Sequence, residues 1–405
     1  MPFRTALSGL NAASADLRIT GNNVANSATV GFKQSRAEFA DVFALSYSGI
    51  SQNAVGAGVR IASVSQQFTQ GNVDFTGNNL DLALNGQGFF VLSDRGTQVY
   101  SRAGAFQVDR DGYVVNSSGQ RLQAYPPASD DGTAFSTGML GDLQLDASES
   151  APQATSLVGA TINLSAEAED LSALPFDATD PNTFNYTTSL TVFDSLGQAH
   201  TGTMYFRNIG PLQWESHFAI DGNVVGGAQP LDFNSDGTLA SPLTPVGFGA
   251  YDPGTGADPL DVQVDFSAAT QFGSSSSVSA LRQDGFTTGR LSSIDIDPNG
   301  VVLARFTNGQ SRALGQVALA SFPNPQGLQQ LGDNAWAATF GAGEVVLGSA
   351  GSGTFGAIQS GGLEASNVDL SEQLVNLITA QRNFQANAQV ISTADTITQT
   401  IINLR

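Results

Sequence analysis

The sequence predicts a mostly β protein with long terminal α-helices, built from discontinuous, nested domains. Three observations carry this. Helical periodicity is confined to the two ends of the chain. Short apolar runs bounded by turn residues fill the interior. Almost all the net charge lies in the middle.

At the start, Phe3, Leu10, Leu17 and Val24 recur every seven residues, with Leu7 beside them. At the end, Leu370, Leu377, Phe384 and Ile391 recur in the same way, with Leu374, Ala388 and Ile402 in the adjacent column. These are heptad-like apolar stripes. No Gly or Pro occurs from Leu363 to Arg405, although the chain has 45 Gly and 15 Pro. A C-terminal helix of about 36 residues would be about 54 Å long at a rise of 1.5 Å per residue. Asp369 or Asn367 can cap it, and Glu372 follows Asp369 by three residues, as a capping box requires. Ser14, Gly21, Gln381 and Asp395 interrupt the stripes. Such flaws weaken a lone coiled coil, whereas a larger bundle accommodates them. The two helices therefore either pair as an ordinary intramolecular hairpin or gain their order when many copies meet.

Between the ends, VRIASVSQQF (59–68), LDLALNG (80–86), GFFVLS (88–93), YVVNSSG (113–119), SLTVFDSLG (189–197), TMYFRN (203–208), LDVQVDF (260–266) and GQVALASF (315–322) read as strands. Asp-Gly, Asn-Gly and Ser-Gly punctuations separate them, the signature of successive hairpins.

The chain of 405 residues carries 36 acidic side chains against 15 Arg and one Lys, Lys33, for a net charge of −20. From Asp130 to Asp284 there are 20 Asp and Glu and only Arg207 and Arg282, a balance of −18, which leaves −2 for the remainder. An acidic middle belongs in solvent, while near-neutral ends are free to associate. The nested layout follows: 1–24 with 368–405 as a helical domain, 25–70 with 358–367 as a linking and bracing region, 71–145 with 285–357 as a β core, and 146–284 as an inserted acidic β domain. The charge argues against nucleic-acid partners and anionic membrane surfaces. No apolar run is long enough to span a membrane and no N-terminal signal peptide is visible. The absence of Cys excludes disulfides, thiolate metal sites and cysteine nucleophiles.

Motifs with a chemical look dissolve on inspection. EVVLGSAGSGTFG (344–356) has G-x-G-x-x-G spacing, but AIQSGG follows where a dinucleotide loop needs a helix. DFNSDG (232–237) and DIDPNG (295–300) imitate the start of a calcium loop, yet their twelfth positions hold Leu243 and Phe306 rather than Glu. Tight β turns explain both. His200 and His217 fit no zinc spacing, and no G-x-S-x-G elbow is present. No catalytic, cofactor-binding or metal-binding residue is predicted. A secreted hydrolase would leave the heptad-like ends unexplained; an adhesin is compatible only with the acidic middle.

SGLNAASADLRITGNNVANSATVGFK (8–33) resembles the N-terminal signature of the bacterial flagellar axial proteins, the rod and hook family, and NNVANSATVGFK (22–33) is its specific part. Residues 362–405 resemble the matching C-terminal signature. DLALNGQGFFVL (81–92), with residues 100–125, is similar to the core domain of hook and distal rod members. FDSLGQAHTGTMYF (193–206), FNSDGTL (233–239) and the length point to the hook branch.

The resemblance implies a helical homopolymer: a flexible tube that transmits motor torque to the filament as a universal joint. It implies an extracellular location in the hook and basal body, and type III export without a cleaved signal peptide. The implied partners are the distal rod protein, the hook cap protein, the hook–filament junction proteins and the export apparatus. On this reading Leu7, Leu10, Leu17, Val24, Leu370, Leu374, Leu377, Phe384, Ile391 and Ile402 form a buried inner-tube interface. Gln381, Asn387 and Gln389 face a wet channel or other subunits. Asn22, Asn23, Asn26, Gly31, Phe32, Phe39 and Phe43 belong to the linking and bracing region.

Overall fold

A computed structural model describes residues 2–42, 56–129, 134–145 and 148–403; Phe43 lies outside the described residues. The chain is mostly β, with one helix at each end, as the sequence predicts. It divides into two compact units: 1–147 with 293–305 and 311–405, and 148–292 with 306–310.

In the first unit, helix α1 spans Pro2–Ala25 and helix α2 spans Leu370–Asn403. The 34 residues of α2 extend about 51 Å. Asp369 is the cap: its Oδ1 accepts hydrogen bonds from the Ser371 and Glu372 amides at 2.7 and 3.2 Å. This satisfies amides that the first turn leaves open.

The β core of this unit is one mixed-length antiparallel sheet. Its path runs through Ser311–Ser321, Arg121–Tyr125, Phe89–Asp94, Thr97–Ser101, Ala335–Ala337 and the edge strand Gln329–Gly332. Alternate residues of Phe89–Asp94 go to opposite faces. Phe90 and Leu92 join Leu122, Val317 and Leu319 on one side. Phe89 and Val91 join Tyr100, Ala318, Ala320 and Trp336 on the other. Burial on both faces explains why GFFVLS is continuously apolar instead of alternating. Two short pairs return the chain to the helices: Leu82–Asn85 with Ala357–Ser360, and Val73–Phe75 with Gly362–Glu364. The strands Ser35–Asp41 and Val59–Gln66 form a separate two-stranded antiparallel ribbon.

The second unit contains two five-stranded sheets. One is a meander of Tyr186–Phe193, Ala199–Gly210, Gln213–Ile220, Asn223–Phe233 and Leu239–Ser241. The other centres on Leu157–Ser165, which pairs in parallel with Leu260–Asp265 and Thr270–Phe272 and antiparallel with Ser277–Gln283. Leu157–Ser165 alternates strictly, with Val158, Ala160, Ile162 and Leu164 buried. These residues share one core with Phe206, Trp214, Phe218 and Phe266.

The motif-like stretches are turns. Asp297 Oδ1 accepts the Asn299 and Val301 amides, and Asp236 Oδ1 accepts the Thr238 amide and hydroxyl. After Val346–Ser349 the chain makes a turn and enters strand Ala357–Ser360, with no helix at the glycines.

Candidate assembly site

The two helices form an antiparallel hairpin that brings the chain ends together. Two contacts fix its register. Asn23 Nδ2 donates to Gln373 Oε1 at 3.1 Å, and a Cβ built on Gly9 would lie 2.4 Å from Asn387 Oδ1. Both contacts join residues whose numbers sum to the same value, so they are two full heptads apart on each helix. Apart from Ala15, which is buried outside it, burial follows this register. On α1 the covered row is Ala6, Gly9, Ala13, Asp16, Thr20 and Asn23; on α2 it is Gln373, Leu377, Ala380, Phe384, Asn387 and Ile391. Burial in this row pushes the Asp16 carboxyl above the ordinary carboxylate range.

The N-terminal seam is therefore a row of small and polar residues rather than the leucine stripe. It repeats at the same heptad period, one position away from Leu10, Leu17 and Val24. Small side chains let the backbones approach, and Leu377 and Phe384 of α2 fill the space. Ser14 and Gly21 are not flaws in this seam; a Cβ on Gly21 would meet nothing within 4 Å. Asn387 faces α1 of its own chain, whereas Gln381 and Gln389 are exposed.

Of the ten residues expected in a buried inner layer, none is fully buried in the single chain. Leu10, Leu17, Val24, Leu377, Phe384 and Ile391 are half-buried. Leu7, Leu370, Leu374 and Ile402 are exposed, Leu374 by 52% and Ile402 by 66%. Val375, Ile378, Val390, Ile397 and Ile401 are exposed beside them. Sequence reasoning passed over these five because it followed two adjacent heptad columns; the i, i+4 spacing of Leu374 with Ile378, and of Ile397 with Ile401, was the available signal. Near the N-terminus of α1, an apolar groove of about 860 Å³ opens between Phe3 and Val390, Ala394 and Ile397.

The helical hairpin is tied to the β core by the Asn-rich element. Asn26 Nδ2 donates to the Asn22 carbonyl at 2.9 Å, closing the last turn of α1. Asn23 Oδ1 accepts the Ser35 amide at 2.9 Å while its Nδ2 donates to the Ser35 carbonyl at 2.8 Å. Gln373 Nε2 donates onward to Gln34 Oε1 at 3.2 Å. Asn367 serves here instead of capping α2: its Oδ1 accepts the Gln34 amide, and its Nδ2 donates to the carbonyls of Gln67 and Thr69. Gly31, at φ +68°, lies so close to Ala103 that a Cβ would sit 2.5 Å from its amide nitrogen. Phe32 is buried beside it, and Phe39 on the ribbon is exposed.

A buried charge cluster closes the junction. Lys33 Nζ lies 2.5 Å from Glu364 Oε1 and donates to the Thr69 carbonyl at 2.7 Å. Arg102 Nη1 lies 3.4 Å from Glu364 Oε2, and its Nη2 donates to the Gly86 carbonyl at 2.8 Å. The Gly71 amide donates to Glu364 Oε1 at 2.9 Å. Burial pushes the Lys33 amine below its ordinary value, and Glu364 opposes that shift. The cluster joins α1's exit, the strand before α2 and the β core through groups that must remain paired.

Four family profiles match this chain. They are "Flagella basal body rod protein" at residues 3–33, "Flagellar hook protein FlgE/F/G D1 domain" at 83–172, "Flagellar basal body protein FlaE D2 domain" at 163–286 and "Flagellar basal body rod FlgEFG protein C-terminal" at 359–404. The chain is 40% identical over 412 residues to flagellar hook protein FlgE of Escherichia coli K12, covering 100% of both chains. It is 39% identical over 413 residues to that of Salmonella typhimurium, again covering 100% of both. It is 32% identical over 458 residues to that of Treponema pallidum, covering 99% of this chain and 98% of the relative. The crystal structure of Helicobacter pylori flagellar hook protein FlgE2 is similar in fold, with a TM-score of 0.55 at 16% identity over 72% of this chain and 100% of that one.

Proposed function

This chain belongs to the flagellar hook protein family, and from that premise we propose that it polymerises into a flexible helical tube joining a rotary motor to its filament. Its place is the flagellar hook and basal body, as a structural subunit. One observation carries the polymer reading. The two ends meet in a single helical hairpin that leaves Leu7, Leu370, Leu374, Val375, Ile378 and Ile402 uncovered, whereas both β units close over their own cores. Uncovered stripes of this kind in water call for a partner, and copies of the same hairpin offer matching ones.

In the tube, the hairpins form an inner layer in which the ten stripe residues are buried, Leu377, Phe384 and Ile391 partly against their own α1 and the exposed ones between subunits. This dry layer transmits torque. The ribbon braces neighbouring subunits, and the buried junction around Asn23, Lys33 and Glu364 holds each ribbon to its own helices. The acidic inserted unit makes small, polar contacts that rearrange as the tube bends. Export proceeds through the flagellar type III apparatus without signal cleavage, to an extracellular position between the distal rod protein and the hook–filament junction proteins, beneath the hook cap protein during growth. The implied recognition of rod, cap, junction and export proteins rests on the family resemblance.

Precipitating salt screens the net charge of −20 and should convert purified full-length chain into hollow tubes, visible by electron microscopy. Monodisperse particles at every salt concentration would overturn the polymer reading.

A further inference from the structure

The β core carries an exposed aromatic feature outside the helical hairpin. Phe340 is fully exposed, at 104% of the reference area. It begins a short 3-10 turn, Phe340–Ala342, whose other end is buried: Ala342 has no solvent exposure and packs with Phe322 and Trp336. The turn is held rigidly. Asn324 Nδ2 donates to the Gly341 carbonyl at 2.9 Å, and Thr339 Oγ1 donates to the Gly327 carbonyl at 2.5 Å. Gly327 presses against Gly341 so closely that a Cβ on it would lie 2.3 Å from the Gly341 carbonyl carbon. A fold that fixes a loop this firmly while leaving a phenyl ring in water has an aromatic anchor prepared at low entropic cost.

The surroundings are uncharged and continuous with the ribbon, with Ser35, Gln66, Gln326 and Gln330 lining the same groove as the apolar residues. Pro325 and Leu328, on either side of Gly327, share a groove of about 260 Å³ with Val64 and Phe68. Gln66 ties that ribbon to the turn region: its carbonyl accepts from Gln326 Nε2 at 2.5 Å and its Oε1 accepts from Trp336 Nε1 at 2.6 Å. Leu331, 53% exposed, sits on the outermost strand of the sheet. From Ala313 to Gly343 the only charged residue is Asp333. In a chain of net charge −20, copies repel one another, and close contact is least opposed where charge is sparse. An uncharged surface that carries a rigidly mounted phenyl ring fits a second copy of the chain.

We infer that Phe340 is an anchor between β cores of adjacent copies, inserting into the surface of a neighbouring subunit. This rests on the polymer reading, and adds to it a contact outside the helical layer. Because the ring is fully exposed among the described residues, its removal leaves the subunit's own fold intact.

The test compares full-length wild type with Phe340→Ala in salt-induced tube formation, scored by sedimentation and electron microscopy. A photo-reactive benzoylphenylalanine at position 340 is the second measurement. The expected results are an unchanged thermal unfolding curve, a rise of about tenfold or more in the concentration needed for tubes on loss of one buried phenyl group, and light-dependent dimers within wild-type-like tubes. Tubes from Phe340→Ala at the wild-type concentration, or cross-links that never join two copies, would overturn the anchor while leaving the polymer intact. Wild type that forms no tubes under any salt would sink the polymer reading and the second-copy assignment with it.

Discussion

Lys33, the sole lysine of the chain, places its ammonium 2.5 Å from Glu364 with neither side chain reached by solvent. The two residues are 331 positions apart, so this pair staples the exit of α1 to the strand that leads into α2. Arg102 shares the same carboxylate. Glu364→Gln would leave two buried cations without their counter-charge. Breaking a buried pair in this way costs about 3–5 kcal/mol. Urea denaturation followed by circular dichroism should show that loss. A variant within about 0.5 kcal/mol of wild type would mean that the cluster is not structurally required.

The Gly9–Asn387 contact makes a second prediction. Gly9→Ala improves helix propensity by about 1 kcal/mol, yet its methyl group meets Asn387 Oδ1 at 2.4 Å. Asn387 must swing away and give up its hydrogen bond to the Asn383 carbonyl at 2.8 Å, a loss of about 0.5–1.5 kcal/mol that should offset the gain. Asn387→Ala should relieve the clash, so the double variant is more stable than the sum of the single changes. Additive effects in a double-mutant cycle would mean that the two helices do not meet in this register.

The two histidines of the inserted unit respond to pH in opposite directions. Burial disfavours the charged His200 ring, but Asp221 at 2.7 Å and Asp194 at 3.4 Å outweigh it and raise its pKa. Its contribution is therefore full below the unfolded value of about 6.5 and is lost as pH rises through the higher folded value. His217 stacks on Phe176 at 3.7 Å with the rings 9° apart. Burial holds it below the ordinary range, and nearby Arg207 adds to that shift although Glu215 opposes it. The folded state thus loses stability as pH falls from about 6.5 toward the lower folded value. His200→Asn should cost most under mildly acidic conditions, whereas His217→Phe should relieve acid sensitivity in the same range. Thermal unfolding across pH 5–8 checks both, and identical pH profiles for the two variants would refute the assignment.

Leu377 and Leu374 separate folding from assembly. Leu377 is half-buried against α1, and Leu374 is 52% exposed. Leu377→Asp should loosen the hairpin of the single chain and lower its helical signal. Leu374→Asp should leave that signal unchanged, because its carboxylate stays in water until copies meet.

Much of this architecture was legible in the sequence because its signals are local. Asp369 and Glu372 marked the start of α2, and the apolar alternation of Leu260–Asp265 marked a strand. The heptad period was also legible, but not the row that forms the intrachain seam. Two rows on α1 share that period, and the leucines drew attention from Ala6, Gly9, Ala13 and Thr20, whose small size is what fits. Lys33 and Glu364 could not be paired by reading, since nothing local links residues so far apart. The parallel pairing of Leu157–Ser165 with Leu260–Asp265 was hidden for the same reason. No local pattern singles out Phe340 in the sequence; only its exposure on a rigid turn distinguishes it.

The central claim is that the uncovered faces of the terminal helices build the polymer. Electron microscopy of full-length wild type and Leu374→Asp, each concentrated in the same precipitating salt, tests it most directly. The account predicts hollow tubes from wild type and only dispersed, fully folded subunits from the variant, since every subunit would otherwise bury an uncompensated carboxylate at a cost of several kcal/mol. Tubes of normal form from Leu374→Asp would contradict it.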